Sequence, residues 1–368
     1  MSIQEDHQQR MSIMLTFRML FTVLLALCAL TPSQADVISK EVCFFGRWDL
    51  RQTDKAITVN SGSYVRSRFT GAEIVAVFDM TLNADPVPTI AWQVDGGKWN
   101  ESYIASRVVL AAGLSDGPHT LMLMVRGLDE HQSRWFKPLV ASVTFLGFEL
   151  PKGGKVQPAL HAWKHPKLKL EFLGDSITEG VVVQNGRAGV IDGIPHTWPW
   201  LSDARMSYVG QTAMALRAEW RQVGFGATGL LLIGSGDAPG ALAALNFFYD
   251  GCPRDAWQPD VVIVNQGTNE PGMAPDTYIV VYQKYLIALR RAYPNALLVG
   301  LRPFNGTHAD EIRAAINLVT AIGDKRVQYM DSTGWYDGDL HPDLDGSTLI
   351  AKQLVSAITS QVLPKVKR

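Results

Sequence analysis

The sequence has only three cysteines in 368 residues, which leaves little scope for covalent or metal-based stabilisation. Cys28 lies inside an apolar N-terminal run, so Cys43 and Cys252 remain for the folded part of the chain. These two residues either form a disulfide in an oxidising compartment or stay buried thiols, and the sequence leaves both open. No group of cysteines and histidines has the spacing of zinc ligands. We therefore predict no metal site and no organic cofactor.

Blocks of five like charges are also absent, and the formal net charge is only -1. Proteins that hold nucleic acids or anionic membranes electrostatically present a basic surface, so neither is predicted as the main partner. The glycine cluster at residues 224–229 does not end in Gly-Lys-Ser or Gly-Lys-Thr, which disfavours a phosphate-binding loop. An uncharged small molecule or polymer is the expected partner.

The N-terminus has the pattern of a secretory signal peptide. Arg10 and Arg18 precede an apolar run at residues 19–30, and small residues follow up to Ala35. We predict that residues 1–35 are cleaved off and that the protein is secreted or periplasmic. The run is too short to span a bilayer permanently, so no stable membrane insertion is predicted once it is cleaved off; an uncleaved N-terminal anchor is the alternative.

Residues 36–155 alternate between apolar and polar side chains in short runs. Turn sequences such as Asp95-Gly96-Gly97 separate these runs, which is typical of an antiparallel β-sandwich without long helices. We expect this segment to be the smaller domain. Four runs are clearest, at residues 73–78, 89–94, 120–125 and 141–145.

Residues 156–368 instead alternate between predicted strands and helices, which indicates an α/β domain with a parallel sheet. The predicted strands cover residues 168–173, 261–264, 296–301 and 326–330, and the predicted helices cover residues 211–220, 277–292, 309–322 and 347–362. Ligands of such sheets bind at the carboxyl ends of the strands. Ser176, Asn269 and the loop after Met330 all fall at such ends.

Ser176 follows the first of these strands and has two interpretations. Residues 176–179 read Ser-Ile-Thr-Glu, which fits the capping box that begins many helices. A serine in a first helical turn can also be a nucleophile, because the N–H groups there favour a developing oxyanion. The two roles are compatible. The second role requires a base, a group that orients the base, and oxyanion donors.

Candidates for each of these roles occur near other strand ends. His341 lies in the sequence Asp-Gly-Asp-Leu-His-Pro-Asp, where Asp339 or Asp337 is available to orient it as a base, although a histidine beside proline is often only structural. Asn269 is either a turn residue or a side-chain oxyanion donor. Gly229 either serves a turn or exposes a backbone N–H.

Together these segments resemble the SGNH/GDSL hydrolase superfamily. Its blocks are a Gly-Asp-Ser strand end, a glycine loop, Gly-x-Asn-Asp, and Asp-x-x-His-Pro, and they occur here in the same order. The resemblance implies a three-layer, flavodoxin-like domain in which Ser176 is the nucleophile and His341 the base. It also implies that the Ser176 and Gly229 N–H groups and the Asn269 amide form the oxyanion hole.

Two positions depart from the superfamily pattern. Glu270 stands where Asp is usual, and Gly338 stands where the acid three residues before the histidine is expected. A β-rich, jelly-roll-like first half followed by such a catalytic half resembles carbohydrate esterase family two, in which an Asp two residues before the histidine occurs. The resemblance therefore favours Asp339 as the orienting acid, with Asp337 next. The resemblance also implies an alternative found in some members of that family, in which a Ser-His pair acts without this acid and other groups orient the histidine.

Aromatic residues suggest where a sugar could bind. Trp198 and Trp200, with His196, lie in the segment after the nucleophile motif, and Trp335 precedes the histidine motif. Their rings either wall a sugar-binding cleft or pack within their own domain. The overall prediction is an esterase that removes acetyl groups from an acetylated polysaccharide or oligosaccharide. The alternatives are a general short-chain esterase or lipase and an inactive carbohydrate-binding protein.

Overall fold

The computed structural model describes residues 33–34, 41–158, 160–184 and 197–366. Nearly all of the predicted signal peptide lies outside these residues, so its cleavage stays a prediction. Within the described part, no helix combines the length and apolar character that crossing a bilayer requires.

The first half of the chain consists of short antiparallel strands in two sheets. One sheet has the order β1-β10-β5-β8 with β3 paired to β10, and the other has the order β11-β4-β9-β6-β7 with β2 paired to β4. The strands are β1 Ser33–Gln34, β2 Cys43–Phe45, β3 Ala56–Thr58, β4 Tyr64–Thr70, β5 Ile74–Asp79, β6 Thr89–Val94, β7 Asn100–Tyr103, β8 Arg107–Ala111, β9 Pro118–Gly127, β10 Val143–Leu150 and β11 Lys155–Gln157.

One hydrophobic core lies between these two sheets. Phe78 and Phe145 come from the first sheet, Leu121 and Leu123 come from the second, and all four belong to the same buried cluster. Since side chains alternate between the faces of a strand, each sheet turns one apolar face toward the other. The predicted antiparallel architecture of this half is confirmed.

The second half contains a five-stranded sheet, in the order β13-β12-β16-β17-β18, whose pairings are all parallel. Its strands, and the separate antiparallel pair β14-β15, are β12 Lys169–Gly174, β13 Glu219–Gly224, β14 Phe247–Tyr249, β15 Cys252–Pro253, β16 Val261–Asn265, β17 Leu297–Leu301 and β18 Val327–Met330. Cys252 is buried and takes no part in a disulfide, so it is not bridged to Cys43.

The helices of the second half pack on both faces of the parallel sheet. In β16, Val261 and Ile263 belong to the cluster that includes α4 and α8, whereas Val262 and Val264 belong to the cluster that includes α6 and α7. The helices are α1 His161–Lys164, α2 Ser176–Glu179, α3 Trp198–Leu201, α4 Tyr208–Ala215, α5 Ala241–Ala244, α6 Pro275–Ala292, α7 Ala309–Ala321, α8 Leu344–Ala357 and α9 Leu363–Val366.

One predicted element is wrong. The helix predicted for residues 211–220 ends at Ala215, and Trp220 instead lies in β13, at the edge of the parallel sheet. Arg217 has a φ of +53°, which ends the helical conformation. Trp220 is buried and its ring lies 4.5 Å from that of Tyr64 in the first half. Tertiary packing therefore decides the conformation of this segment.

Buried ion pairs join the two halves. Three fully buried arginines of the first half each contact a buried carboxylate of the second half: Arg47 with Glu171, Arg126 with Asp203, and Arg134 with Glu179. Each pair removes two charges from water, which costs free energy. The attraction between the two partners offsets this cost only while they stay in contact. The pairs therefore fix how the sandwich sits against the parallel sheet.

Candidate active site

Ser176 is the first residue of α2 and directly follows the end of β12. The helix is capped by Asp175, whose Oδ1 accepts the N–H of Ile177 at 3.0 Å, so the capping box predicted for Ser176 is wrong. Glu179, the expected partner in that box, pairs with Arg134 instead. Because Asp175 caps the helix, the Ser176 hydroxyl is available for other contacts.

His341 is the residue that the Ser176 hydroxyl contacts. Its Nε2 lies 2.8 Å from Oγ of Ser176, although 165 residues separate the two along the chain. His341 lies on the loop between β18 and α8, at the carboxyl edge of the sheet. Burial lowers its pKa below the usual 6.5, so the imidazole is neutral near pH 7 and able to accept a proton.

The structure does not bring a carboxylate to the other side of this imidazole. Asp339 and Asp337 are both exposed, and within the described residues His341 makes no ion pair or hydrogen bond with a carboxylate. A side chain at Gly338 would collide with the hydroxyl of Tyr336, whose ring packs under this loop. A side chain at position 338 would therefore require the Tyr336 ring to move.

The donors predicted for an oxyanion hole have different hydrogen-bond states. In the described part of the chain, the Ser176 N–H has no acceptor, whereas the Gly229 N–H is donated to the Leu232 carbonyl at 3.2 Å. The Asn269 amide donates to the Thr228 carbonyl at 2.9 Å and lies 3.4 Å from Oδ2 of Asp175. Asn269 therefore contacts Asp175, the residue before the nucleophile, and the Asn269 amide and the Gly229 N–H can each serve only if a present bond opens.

Gly226 is a further donor that the sequence interpretation missed. Gly224 pairs with Gly174 in the parallel sheet, so Gly226 and Ser176 each lie two residues beyond paired strand ends. Among the described residues its N–H has no acceptor. The sequence signal for this donor is the Gly-x-Gly at the end of a strand. The helix predicted for residues 211–220 hides that strand.

Glu270 replaces the usual Asp and holds the glycine loop in place. Its carboxylate accepts the backbone N–H groups of Leu230, Leu231 and Leu232 at 2.7, 2.9 and 2.9 Å. A side chain at Gly229 would collide with this carboxylate. The longer side chain of Glu270 thus anchors the loop next to Asn269.

Trp198 is the predicted aromatic residue that is most open to solvent, with 38% of its surface exposed. Its ring lies 5.4 Å from that of His131, which belongs to the loop after β9 in the first half. Both rings therefore contribute to a surface shared by the two halves.

The other predicted aromatic residues do not lie open in a cleft. Trp200 is buried, and its ring stacks 5.1 Å from that of Tyr103, so it packs at the junction of the two halves. Trp335 is half-buried at the edge of the hydrophobic cluster that contains α8. His196 lies outside the described residues.

Metal ligands are not gathered at this site. Within the described residues, no group of three or more His, Cys, Asp or Glu side chains is arranged to hold a metal ion. The contact between Ser176 and His341 supports the transfer of a proton between a hydroxyl and an imidazole beside several N–H donors.

Comparisons with known proteins concern the first half of the chain and the overall fold. Residues 44–159 match the family model "Carbohydrate esterase 2 N-terminal". A family two carbohydrate esterase from Clostridium thermocellum, solved in complex with cellohexaose, is 26% identical, covering 87% of this chain and 99% of that one with a TM-score of 0.70. No curated protein sequence matches significantly.

Two further solved structures share the fold. A family two carbohydrate esterase from Cellvibrio japonicus is 22% identical, with coverage of 89% and 97% and a TM-score of 0.73. An acetyl xylan esterase from the rumen bacterium Butyrivibrio proteoclasticus is 20% identical, with coverage of 90% and 99% and a TM-score of 0.70. The resemblance to carbohydrate esterase family two is confirmed.

Proposed function

We propose that this protein is a secreted or periplasmic serine esterase that removes acetyl groups from the hydroxyls of a polysaccharide or its oligomers. The observation that carries the proposal is the 2.8 Å contact between Ser176 Oγ and His341 Nε2. The similarity to family two carbohydrate esterases supports a carbohydrate substrate.

In the acylation step, neutral His341 holds its proton on Nδ1 and accepts the Ser176 hydroxyl proton at Nε2. Oγ forms a bond to the ester carbonyl carbon, and the carbonyl oxygen becomes an oxyanion. The Ser176 N–H and the Gly226 N–H donate to that oxyanion, and the Asn269 amide joins them once it releases the Thr228 carbonyl or Asp175. The intermediate then expels the sugar alkoxide, which takes the proton from His341.

In the deacylation step, His341 accepts a proton from water as the water oxygen attacks the acyl carbon. The second tetrahedral intermediate expels Ser176 Oγ, which regains the proton from His341, and acetate leaves. Gly226 requires no rearrangement to act as a donor, whereas Gly229 must first release the Leu232 carbonyl. With Asp339 exposed, the proposal assigns the chemistry to a Ser-His pair.

The proposal includes the division of the chain into a signal peptide and two domains. Residues 1–35 would be a cleaved signal peptide, residues 36–155 a jelly-roll-like sandwich, and residues 156–368 a three-layer, flavodoxin-like catalytic domain. Strand β11 runs to Gln157 and pairs with the sandwich sheet, which supports a boundary a few residues later than 155.

The proposal is tested by acetate release from acetylated xylan, glucomannan and pectin, beside hydrolysis of p-nitrophenyl acetate. We expect at least one polysaccharide to release acetate and Ser176→Ala to abolish both activities. If wild type cleaves the aryl ester no faster than Ser176→Ala, the chain is not a serine esterase and the carbohydrate-binding alternative gains support. Wild type that cleaves the aryl ester but no polysaccharide would contradict the carbohydrate assignment.

One observation favours a second candidate, a general short-chain esterase. Leu231, Leu232 and Ile233 are exposed on the loop that Glu270 anchors next to Asn269. An apolar rim of this kind would suit an acyl chain longer than acetyl. A rise in kcat/KM from p-nitrophenyl acetate to the octanoate ester would favour this candidate, and a fall would favour the acetyl esterase.

A further inference from the structure

Glu130 is a carboxyl group of the first half that contacts the loop carrying Gly226. Any side chain at Gly226 would overlap its Oε2, so the carboxyl occupies the space directly above that glycine. Gly226 lies two residues beyond the paired end of β13, as Ser176 does beyond β12. The Glu130 carboxyl is therefore next to the loop that flanks the nucleophile.

This carboxyl has no hydrogen-bond partner among the described residues, although Glu130 is only 8% exposed. Arg134 lies near it, but both of its terminal guanidinium nitrogens, Nη1 and Nη2, are bonded to Glu179. On its own loop, the neighbouring charged groups are Asp129 and His131. The Glu130 oxygens are not among the fully enclosed polar atoms of the described residues, so solvent or a ligand hydroxyl can reach them. A largely buried carboxyl with no protein donor still costs stability, so packing alone does not account for its presence.

The electrostatic surroundings leave this group able to donate or accept a hydrogen bond near neutral pH. Burial, and then the negative charge of Glu179, raises the pKa of Glu130 to about 7, while Arg134 and His131 act in the opposite direction. A carboxyl that is protonated part of the time can pair with either the hydrogen or the oxygen of a hydroxyl.

We propose that Glu130 is a sugar-recognition residue whose carboxyl hydrogen-bonds a substrate hydroxyl close to the acylated position. This inference rests on the proposed function and makes the first half part of the substrate-binding surface. The adjacent residue, His131, is 55% exposed, and its ring neighbours that of exposed Trp198. Aromatic rings beside a polar group match the apolar faces and hydroxyls of a sugar ring.

The experiment compares wild type with Glu130→Gln, Glu130→Ala and a control, Glu73→Gln, which alters an exposed glutamate of the same half. For each protein, kcat and KM are measured with an acetylated xylooligosaccharide and with p-nitrophenyl acetate. The ratio of the two kcat/KM values is the readout, because the aryl ester has no hydroxyl for Glu130 to bind.

We expect Glu130→Ala to lower that ratio about tenfold or more, mainly through the KM for the sugar. Glu130→Gln should lower it less, because an amide still offers a donor and an acceptor. Glu73→Gln should leave the ratio unchanged. Both Glu130 variants should unfold at or above the wild-type temperature at pH 8, since they remove a buried carboxylate without donors.

Equal losses on both substrates, or a lowered unfolding temperature, would give Glu130 a structural role and overturn the proposal. An unchanged ratio in an enzyme that deacetylates the sugar would also overturn it, while leaving the proposed function intact. If wild type hydrolyses the aryl ester but not the sugar, both proposals fail together.

Discussion

Replacing Arg134 with methionine is expected to destabilise the protein severely. Arg134 is fully buried, its Nη2 lies 2.8 Å from Oε2 of Glu179, and its Nη1 bonds the other carboxylate oxygen. Methionine fills much of the same volume but leaves the Glu179 carboxylate, which is 2% exposed, buried without its partner. Removing one member of a buried ion pair costs about 3–5 kcal/mol, out of a typical total stability of about 5–15 kcal/mol.

Urea unfolding of three variants measures this cost. Arg313→Met is the matched control, because Arg313 and its partner Asp310 are largely exposed and such pairs contribute less than about 1 kcal/mol. Arg134→Met combined with Glu179→Leu should recover most of the loss, because apolar residues often replace a buried pair without cost. The single variant should also lose p-nitrophenyl acetate hydrolysis, since Glu179 ends the helix that begins at Ser176.

Two results would refute this reasoning. If Arg134→Met lowers the free energy of unfolding no more than Arg313→Met, then burying the unpaired Glu179 carboxylate carries no large desolvation cost. If the double variant is as unstable as the single one, the loss comes from the shape of the arginine side chain. Its guanidinium lies 4.9 Å from the Phe225 ring centre, which would then be the relevant contact.

The remaining predictions concern the base. Burial lowers the pKa of His341 below 6.5 and only neutral imidazole accepts a proton, so kcat/KM for p-nitrophenyl acetate should fall on acidification with a midpoint below pH 6.5. A midpoint above that value would contradict the assignment. Asp339→Ala and Asp337→Ala should each cost less than about tenfold in kcat, whereas His341→Ala should cost on the order of 10³-fold. A loss from Asp339→Ala as large as that from His341→Ala would mean that this carboxylate orients the base in solution.

The ends of parallel strands made the main contacts predictable from the sequence. Ser176 and Asn269 follow β12 and β16, which are adjacent in the sheet, and His341 follows β18. Strand-helix alternation places all such ends at one edge of a parallel sheet. The alternation predicted that these side chains lie at the same edge, and the resemblance to the SGNH/GDSL superfamily selected them as a hydroxyl, an amide and an imidazole that act together.

Contacts between the halves were not predictable, because no periodic pattern encodes them. The prediction of a helix through Trp220 was wrong because the packing of this ring against Tyr64 outweighs the local helix propensity. The capping box failed since Arg134, far away in sequence, takes the Glu179 side chain. Both errors therefore concern a residue whose partner lies in another element.

The buried ion pairs between the two halves indicate that the halves act as one unit. Arg47 and Arg134 each neutralise a carboxylate that the second half would otherwise bury without a cation, whereas Arg126 shares Asp203 with Arg205. At about 3–5 kcal/mol for each uncompensated charge, losing Arg47 and Arg134 would cost on the order of the entire stability of a typical domain. One of these pairs ends at the helix that carries Ser176. The sandwich therefore stabilises the position of the nucleophile, and the boundary between the two sequence patterns does not separate two independent functions.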